Sequence, residues 1–334
     1  MLSVFDFFIP CFNLIINFSR QIYTRSVGSD VATEYIWLTR CTLGIGDPNT
    51  QICRKNQHQK MKKATPQIKT IDILYKGKAF NIEYFFREGH TETILFVHGL
   101  GGAKENFFES CKADSLAEHT LICFDNPGTG NSSYYDDLLL DIDDLAAITS
   151  LFIESIKITN FILCGTSMGG LTTLLYLKRG GLAKAKAYIN IEGNLMPEDC
   201  MFSSKVVTYD YDTFKNQIFP KTIVDMKNRG NAGYHIIANN LQLNTNVKSY
   251  YNYSFKTVEY SSTGELLKQY LTLEIPRVFI YGDENNSLSY IPTLLQNNMN
   301  VKEIYASNHF VFYDNPKDLY DAIADFIDDL KSVG

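Results

Sequence analysis

The sequence predicts an α/β fold: a mostly parallel, eight-stranded sheet flanked by helices, with an inserted cap after the strand that ends near Glu192. Three observations carry this prediction. Short runs such as TILFV, LICF, FILC, YINI and VFIY are rich in Val, Ile and Phe on both faces, as strands buried on both sides require. Between most of them stand amphipathic stretches of helix length, and a strand, helix, strand order closes a parallel sheet through right-handed crossovers. The chain then ends on PKDLYDAIADFIDDLKS, whose apolar residues recur at helical spacing.

The elements follow in order. Residues 1–18, MLSVFDFFIPCFNLIINF, are apolar but broken by Asp6, Pro10, Asn13 and Asn17. They lack the basic n-region of a secretory signal and the roughly 20 clean apolar residues of a spanning helix. An interfacial membrane contact stays open for them. From about Gly44 to Gln67 the chain is polar, basic and aperiodic, so residues 1–67 read as an extension or linker ahead of a compact domain at 68–334. Met61 would suit a start just before that domain, with the preceding residues dispensable. IKTIDILYKGKAFNIEYFF reads as a hairpin turning at Gly77. Helices are expected over about 103–118, about 137–157 and from Met168 to about Lys178, between successive strands. About 80 residues from Asn194 to Pro276 break the rhythm, and a structureless loop of that length is implausible, so 195–275 is read as the inserted cap.

Composition excludes several classes. With 334 residues, 45% of them hydrophobic, the chain can bury a large core. A formal charge of -6 and the lack of a basic, aromatic-interleaved run argue against nucleic acid as a partner. Seven scattered cysteines without a CxxC pair suggest buried thiols in a reducing, cytoplasmic setting, not a disulfide framework or a zinc site. A membrane-peripheral location is the alternative that residues 1–18 leave. No metal and no cofactor is expected.

Four motifs stand at the ends of the strands. Gly165-Thr166-Ser167-Met168-Gly169 joins a strand to a helix, and its glycines allow a turn sharp enough to lift the serine Oγ above the sheet edge. His98-Gly99-Leu100-Gly101-Gly102 follows TILFV, and Asp125-Asn126-Pro127-Gly128-Thr129-Gly130 follows LICF. Of six histidines, His309 stands just beyond the last strand, where an imidazole with a reference pKa of about 6.5 can take and return a serine proton.

In this order the motifs resemble the α/β-hydrolase fold superfamily across about residues 68–332. The resemblance implies a GxSxG nucleophile elbow at Ser167, an acid/base at His309, and an oxyanion hole made by the N–H groups of Leu100 and Met168. His98 is expected to hold its loop. The superfamily usually carries its acid at the place that Asn285 fills here, and an amide cannot stabilise an imidazolium. Glu192, at the end of the strand after the nucleophile helix, is preferred as the acid, with Asp283 and then Glu284 as alternatives. The implied activity is cleavage of a small-molecule carboxylic ester or thioester through an acyl-enzyme. A C–C bond hydrolase or lactonase, a membrane-associated lipase, and a non-catalytic ligand-binding homologue are the other readings.

Overall fold

The structure, a computed structural model, describes residues 65–332 with the exception of Gly230. The expectations for residues 1–18 and for Met61 lie outside the described residues. Eight strands form one sheet: β1 (Gln67–Tyr75), β2 (Lys78–Arg87), β3 (Thr93–Val97), β4 (Thr120–Phe124), β5 (Phe161–Thr166), β6 (Ala185–Ile191), β7 (Arg277–Gly282) and β8 (Asn300–Ile304). Their order is β1-β2-β4-β3-β5-β6-β7-β8. β2 runs antiparallel to both β1 and β4, and every other pairing is parallel.

Alternation along the strands divides the interior into two cores. Leu95 and Val97 of β3 face one side with helices α1 (Ile142–Ser155) and α2 (Met168–Lys178). Ile94 and Phe96 face the other, where Phe107 and the terminal helix Pro316–Ser332 cover them. That helix inserts Leu319, Ile323, Phe326 and Ile327, spaced along one face, into the second core. Full burial of such side chains contributes about 1.5–3 kcal/mol each, which is why the strands are greasy on both faces.

Two expected helices differ from their sequence readings. Asp141 accepts the N–H groups of Asp143 and Asp144 at 2.9 and 3.2 Å, while Asp144 reaches back to the Asp141 N–H at 2.9 Å. This capping box starts α1 at Ile142, not near 137. The helix expected over 103–118 is a 3₁₀ segment, Lys104–Cys111, followed by turns. Side chains compete with its backbone there: Asn106 accepts from the Ala103 N–H at 2.8 Å, and buried Asp125 accepts from the Lys104 N–H at 2.7 Å.

Lys104 is itself buried, with its ammonium against Asp125, Glu83 and Glu105. Between β6 and β7 the described residues form helices, from the 3₁₀ turn Pro197–Asp199 through α3 (Ser203–Val206) to Glu265–Thr272, with an isolated antiparallel bridge from Thr245 to Thr129. Among the described residues, no helix is long and apolar enough to cross a membrane.

Candidate active site

The strand order explains where the motifs meet. Parallel strands end on one edge, and the chain leaves β3 toward β4 on one side while β5 lies on the other, so a crevice opens between the β3 and β5 loops. Ser167 stands at the end of β5 with φ 51° and ψ -129°, a left-handed backbone that few non-glycine residues adopt. Neighbouring backbone pins it: its N–H donates to the Ile191 carbonyl at 3.2 Å, and its own carbonyl accepts from Gly170 at 2.8 Å and Asn194 at 3.2 Å. The turn tolerates no side chain at Gly169, where a Cβ would lie 2.2 Å from the Val97 carbonyl oxygen.

The β3 loop approaches the serine closely. A Cβ on Gly99 would stand 2.8 Å from the Ser167 Cβ. His98 braces this loop from beneath. Its Nε2 accepts the Asn126 N–H at 3.0 Å, which leaves Nδ1–H to donate to the Gly99 carbonyl at 2.8 Å. Burial pushes the His98 imidazole down to about 4, so the ring is neutral, as that pattern requires. Leu100 follows Gly99 and, like Ser167, lines the crevice. Met168 opens α2, so its N–H is among the first-turn donors that have no acceptor within the helix.

His309 follows β8, buried between the rings of Phe202 and Phe310, whose centroids lie 6.0 and 5.3 Å from its own. The carboxylate bonded to it is that of Glu192: Nδ1 and Oε2 are 2.7 Å apart. Glu192 projects from the end of β6 with φ 44° and is 3% exposed. Its Oε1 accepts the Gly282 N–H at 2.8 Å, and the Asn285 amide donates to both oxygens at 3.0 and 2.9 Å. A buried carboxylate is tolerated when its lone pairs are filled in this way. Sequence reasoning took Asn285 only as a missing acid. Nothing in the local sequence signals its amide as the donor that holds Glu192, because β7 and β6 meet only in the sheet.

Asp283 and Glu284 are not brought to His309. The Asp283 carboxylate accepts the Ser307 N–H at 3.0 Å, and backbone hydrogen bonds of this kind hold it below the usual carboxylate range. The Glu284 N–H donates to the Ser307 carbonyl at 3.1 Å while its side chain is exposed. Both therefore brace the loop that leads to the histidine. Ser167, Leu100 and His309 share one crevice of about 20 Å³ with Gly99, Asn106 and Phe202.

Comparison with known proteins agrees with this architecture. Residues 92–220 match the family model for the alpha/beta hydrolase fold. A Mycoplasma genitalium protein named for esterase/lipase activity is 23% identical over 265 residues, covering 77% of this chain and 97% of that protein. The ethanol acetyltransferase 1 of Hanseniaspora uvarum is 30% identical over 109 residues, 32% of each chain. Among solved structures, a thermophilic esterase from Thermogutta terrifontis aligns with a TM-score of 0.64 at 14% identity, covering 78% of this chain and 99% of its own. The described residues have the α/β-hydrolase fold, with Ser167 at the sharp turn after β5.

Proposed function

We propose that the protein is a serine hydrolase of the esterase/lipase type that cleaves small carboxylic esters or thioesters through an acyl-enzyme. The observation that carries this reading is the 2.7 Å bond between His309 Nδ1 and Glu192, made by a histidine that lines the same crevice as Ser167. With Nδ1–H bonded to the carboxylate, Nε2 is the bare nitrogen and serves as the base. Asn285 by itself would favour a non-catalytic homologue. Its amide instead supports the acid, which removes that argument.

Ser167 Oγ attacks the carbonyl carbon and its proton passes to His309 Nε2. The tetrahedral oxyanion takes hydrogen bonds from the Leu100 and Met168 N–H groups, with the N-terminal dipole of α2 behind the second. Collapse breaks the bond to the alcohol or thiol, which leaves with the proton from His309. Water then attacks the acyl-enzyme, gives a proton to Nε2, and releases the carboxylic acid as that proton returns to Ser167 Oγ. Glu192 stabilises the imidazolium in both halves, and the helices between β6 and β7 form a cap over the crevice.

Labelling with a fluorophosphonate tests the reading. Wild type should be modified at Ser167 and should hydrolyse p-nitrophenyl acetate, and Ser167→Ala should do neither. Absence of labelling and turnover in the folded wild type would refute it.

A further inference from the structure

A larger space lies beside the catalytic crevice and has no part in the chemistry above. It sits among α3, the helix Phe219–Lys227 and Tyr250, and encloses about 430 Å³. Two crevices contain Ser167, of about 20 and 10 Å³, room for about one water and no more. Ligand sites run to roughly 300–1,000 Å³, so of these spaces the chamber alone has the size to hold a substrate body. Phe202 lines all three spaces. Its ring is half-buried and stacks near His309 and Phe310, so it forms the wall between chamber and nucleophile.

The chamber has a polarity. Its floor is apolar, from Val206, Ile218, Met226 and Tyr250, and its mouth carries Lys205, Lys221 and Arg229. Lys221 is paired with Asp225 at 2.8 Å, whereas Lys205 and Arg229 have no carboxylate in salt-bridge reach among the described residues. On a chain of formal charge -6, two uncompensated cations at an apolar opening are complementary to an anionic amphiphile. Arg229 is preorganised to meet one, since it donates to the Tyr234 hydroxyl at 2.8 Å with its guanidinium 4.5 Å above the same ring. A guanidinium fixed in this way loses little freedom when its remaining N–H groups bind a carboxylate or phosphate.

The chamber also has a side. Phe202 packs on His309, and the base delivers its proton to the leaving group, so the chamber opens on the alcohol side of the ester. The crevice of about 10 Å³ beside Ser167 and Met168, which Phe202 also lines, is closed by buried Asn194, Asp199, Ser203 and Thr257. We propose that the chamber receives the leaving alcohol past a movable Phe202 ring, that this alcohol bears an anionic group on an apolar stem, and that the acyl group is small. The proposal rests on the serine-hydrolase reading above.

Two matched acetates test it: the acetate ester of ω-hydroxyhexanoate, which carries a carboxylate on its alcohol, and neutral hexyl acetate. Wild type should favour the anionic ester in kcat/KM by about tenfold at low salt, an advantage that salt erodes. The double variant Lys205→Ala/Arg229→Ala, at two exposed positions, should bring the ratio to about one. A wild-type ratio near one, or a ratio the double variant leaves intact, would overturn the proposal while turnover of hexyl acetate upholds the hydrolase reading. Monomethyl suberate and methyl octanoate place the same contrast on the acyl side, and a preference found only there would also overturn it. If neither acetate is hydrolysed and Ser167 resists labelling, the hydrolase reading fails. Calorimetric titration of Ser167→Ala with both acetates then decides the chamber alone: tighter binding of the anionic ester, lost in the double variant, supports the site, and equal affinities refute it.

Discussion

Replacing Glu192 by glutamine probes the proposed acid through the hydrogen-bond pattern around it. In the wild type both carboxylate oxygens only accept: Oε1 from Gly282 and Asn285, Oε2 from Asn285 and His309. A glutamine must turn one of these positions into an NH₂ donor. If the amide oxygen faces His309, the NH₂ meets the Gly282 N–H, a buried donor against a donor, at a cost of about 1–3 kcal/mol. The other orientation keeps the Gly282 bond and presents NH₂ to His309 Nδ1. That ring must then carry its proton on Nε2, where it cannot accept from Ser167. Either way the charge that stabilises the imidazolium is gone. In the equivalent acid-to-amide change of a serine triad the loss is about 10⁴ in kcat, or about 5 kcal/mol of barrier. Steady-state hydrolysis of p-nitrophenyl acetate by Glu192→Gln, checked for folding by circular dichroism, should show a fall of about three to four decades. A kcat within tenfold of wild type refutes the assignment, as does a larger loss in Asp283→Asn than in Glu192→Gln.

Other predictions concern the frame around the site. Gly99→Ala places a methyl 2.8 Å from the Ser167 Cβ and 3.2 Å from the Thr166 carbonyl oxygen, so loop or serine must shift. A displacement approaching an ångström costs on the order of 10² in kcat, and an unchanged kcat would show that the β3 loop does not touch the reacting centre. Asp199 is buried, accepts from the Leu195 and Met196 N–H groups and the Tyr290 hydroxyl, and burial pushes its carboxyl up to about 6 despite these bonds. Its unfolded value is about 3.9, so the native state binds the extra proton and this group's contribution to stability declines as pH rises from about 4 to about 6. Thermal unfolding of Asp199→Asn relative to wild type should therefore improve by up to about 3 kcal/mol between pH 4 and pH 7, and a pH-independent difference would contradict the shift. His98 titrates in the opposite sense: its folded value near 4 lies below the unfolded 6.5, so its contribution is full above about 6.5 and is lost as pH falls through about 4. His98→Gln should flatten the acid limb of stability, provided the variant keeps a neutral acceptor for the Asn126 N–H.

The sequence by itself determined the sheet and the places where chemistry could stand. The strands were legible because burial on both faces leaves unbroken apolar runs, and Ser167 because a sharp strand-to-helix turn demands glycines at fixed spacing. His309 was legible from its place after β8. Helix limits were less so, since side-chain caps such as Asp141 and the buried Lys104–Asp125 contact decide them locally. The sequence only ranked the partner of His309, with Glu192 ahead of Asp283 and Glu284. Glu192, Asp283 and Glu284 all end strands or begin the loops after them, and distance along the chain says nothing of which carboxylate faces the ring. Only the tertiary structure decided it: β6 and β7 pair side by side, so the Gly282 N–H and the Asn285 amide converge on Glu192 and turn it toward His309. The same is true of Phe202 and the chamber behind it, which arise where helices distant in sequence pack together and leave no periodic trace in the chain.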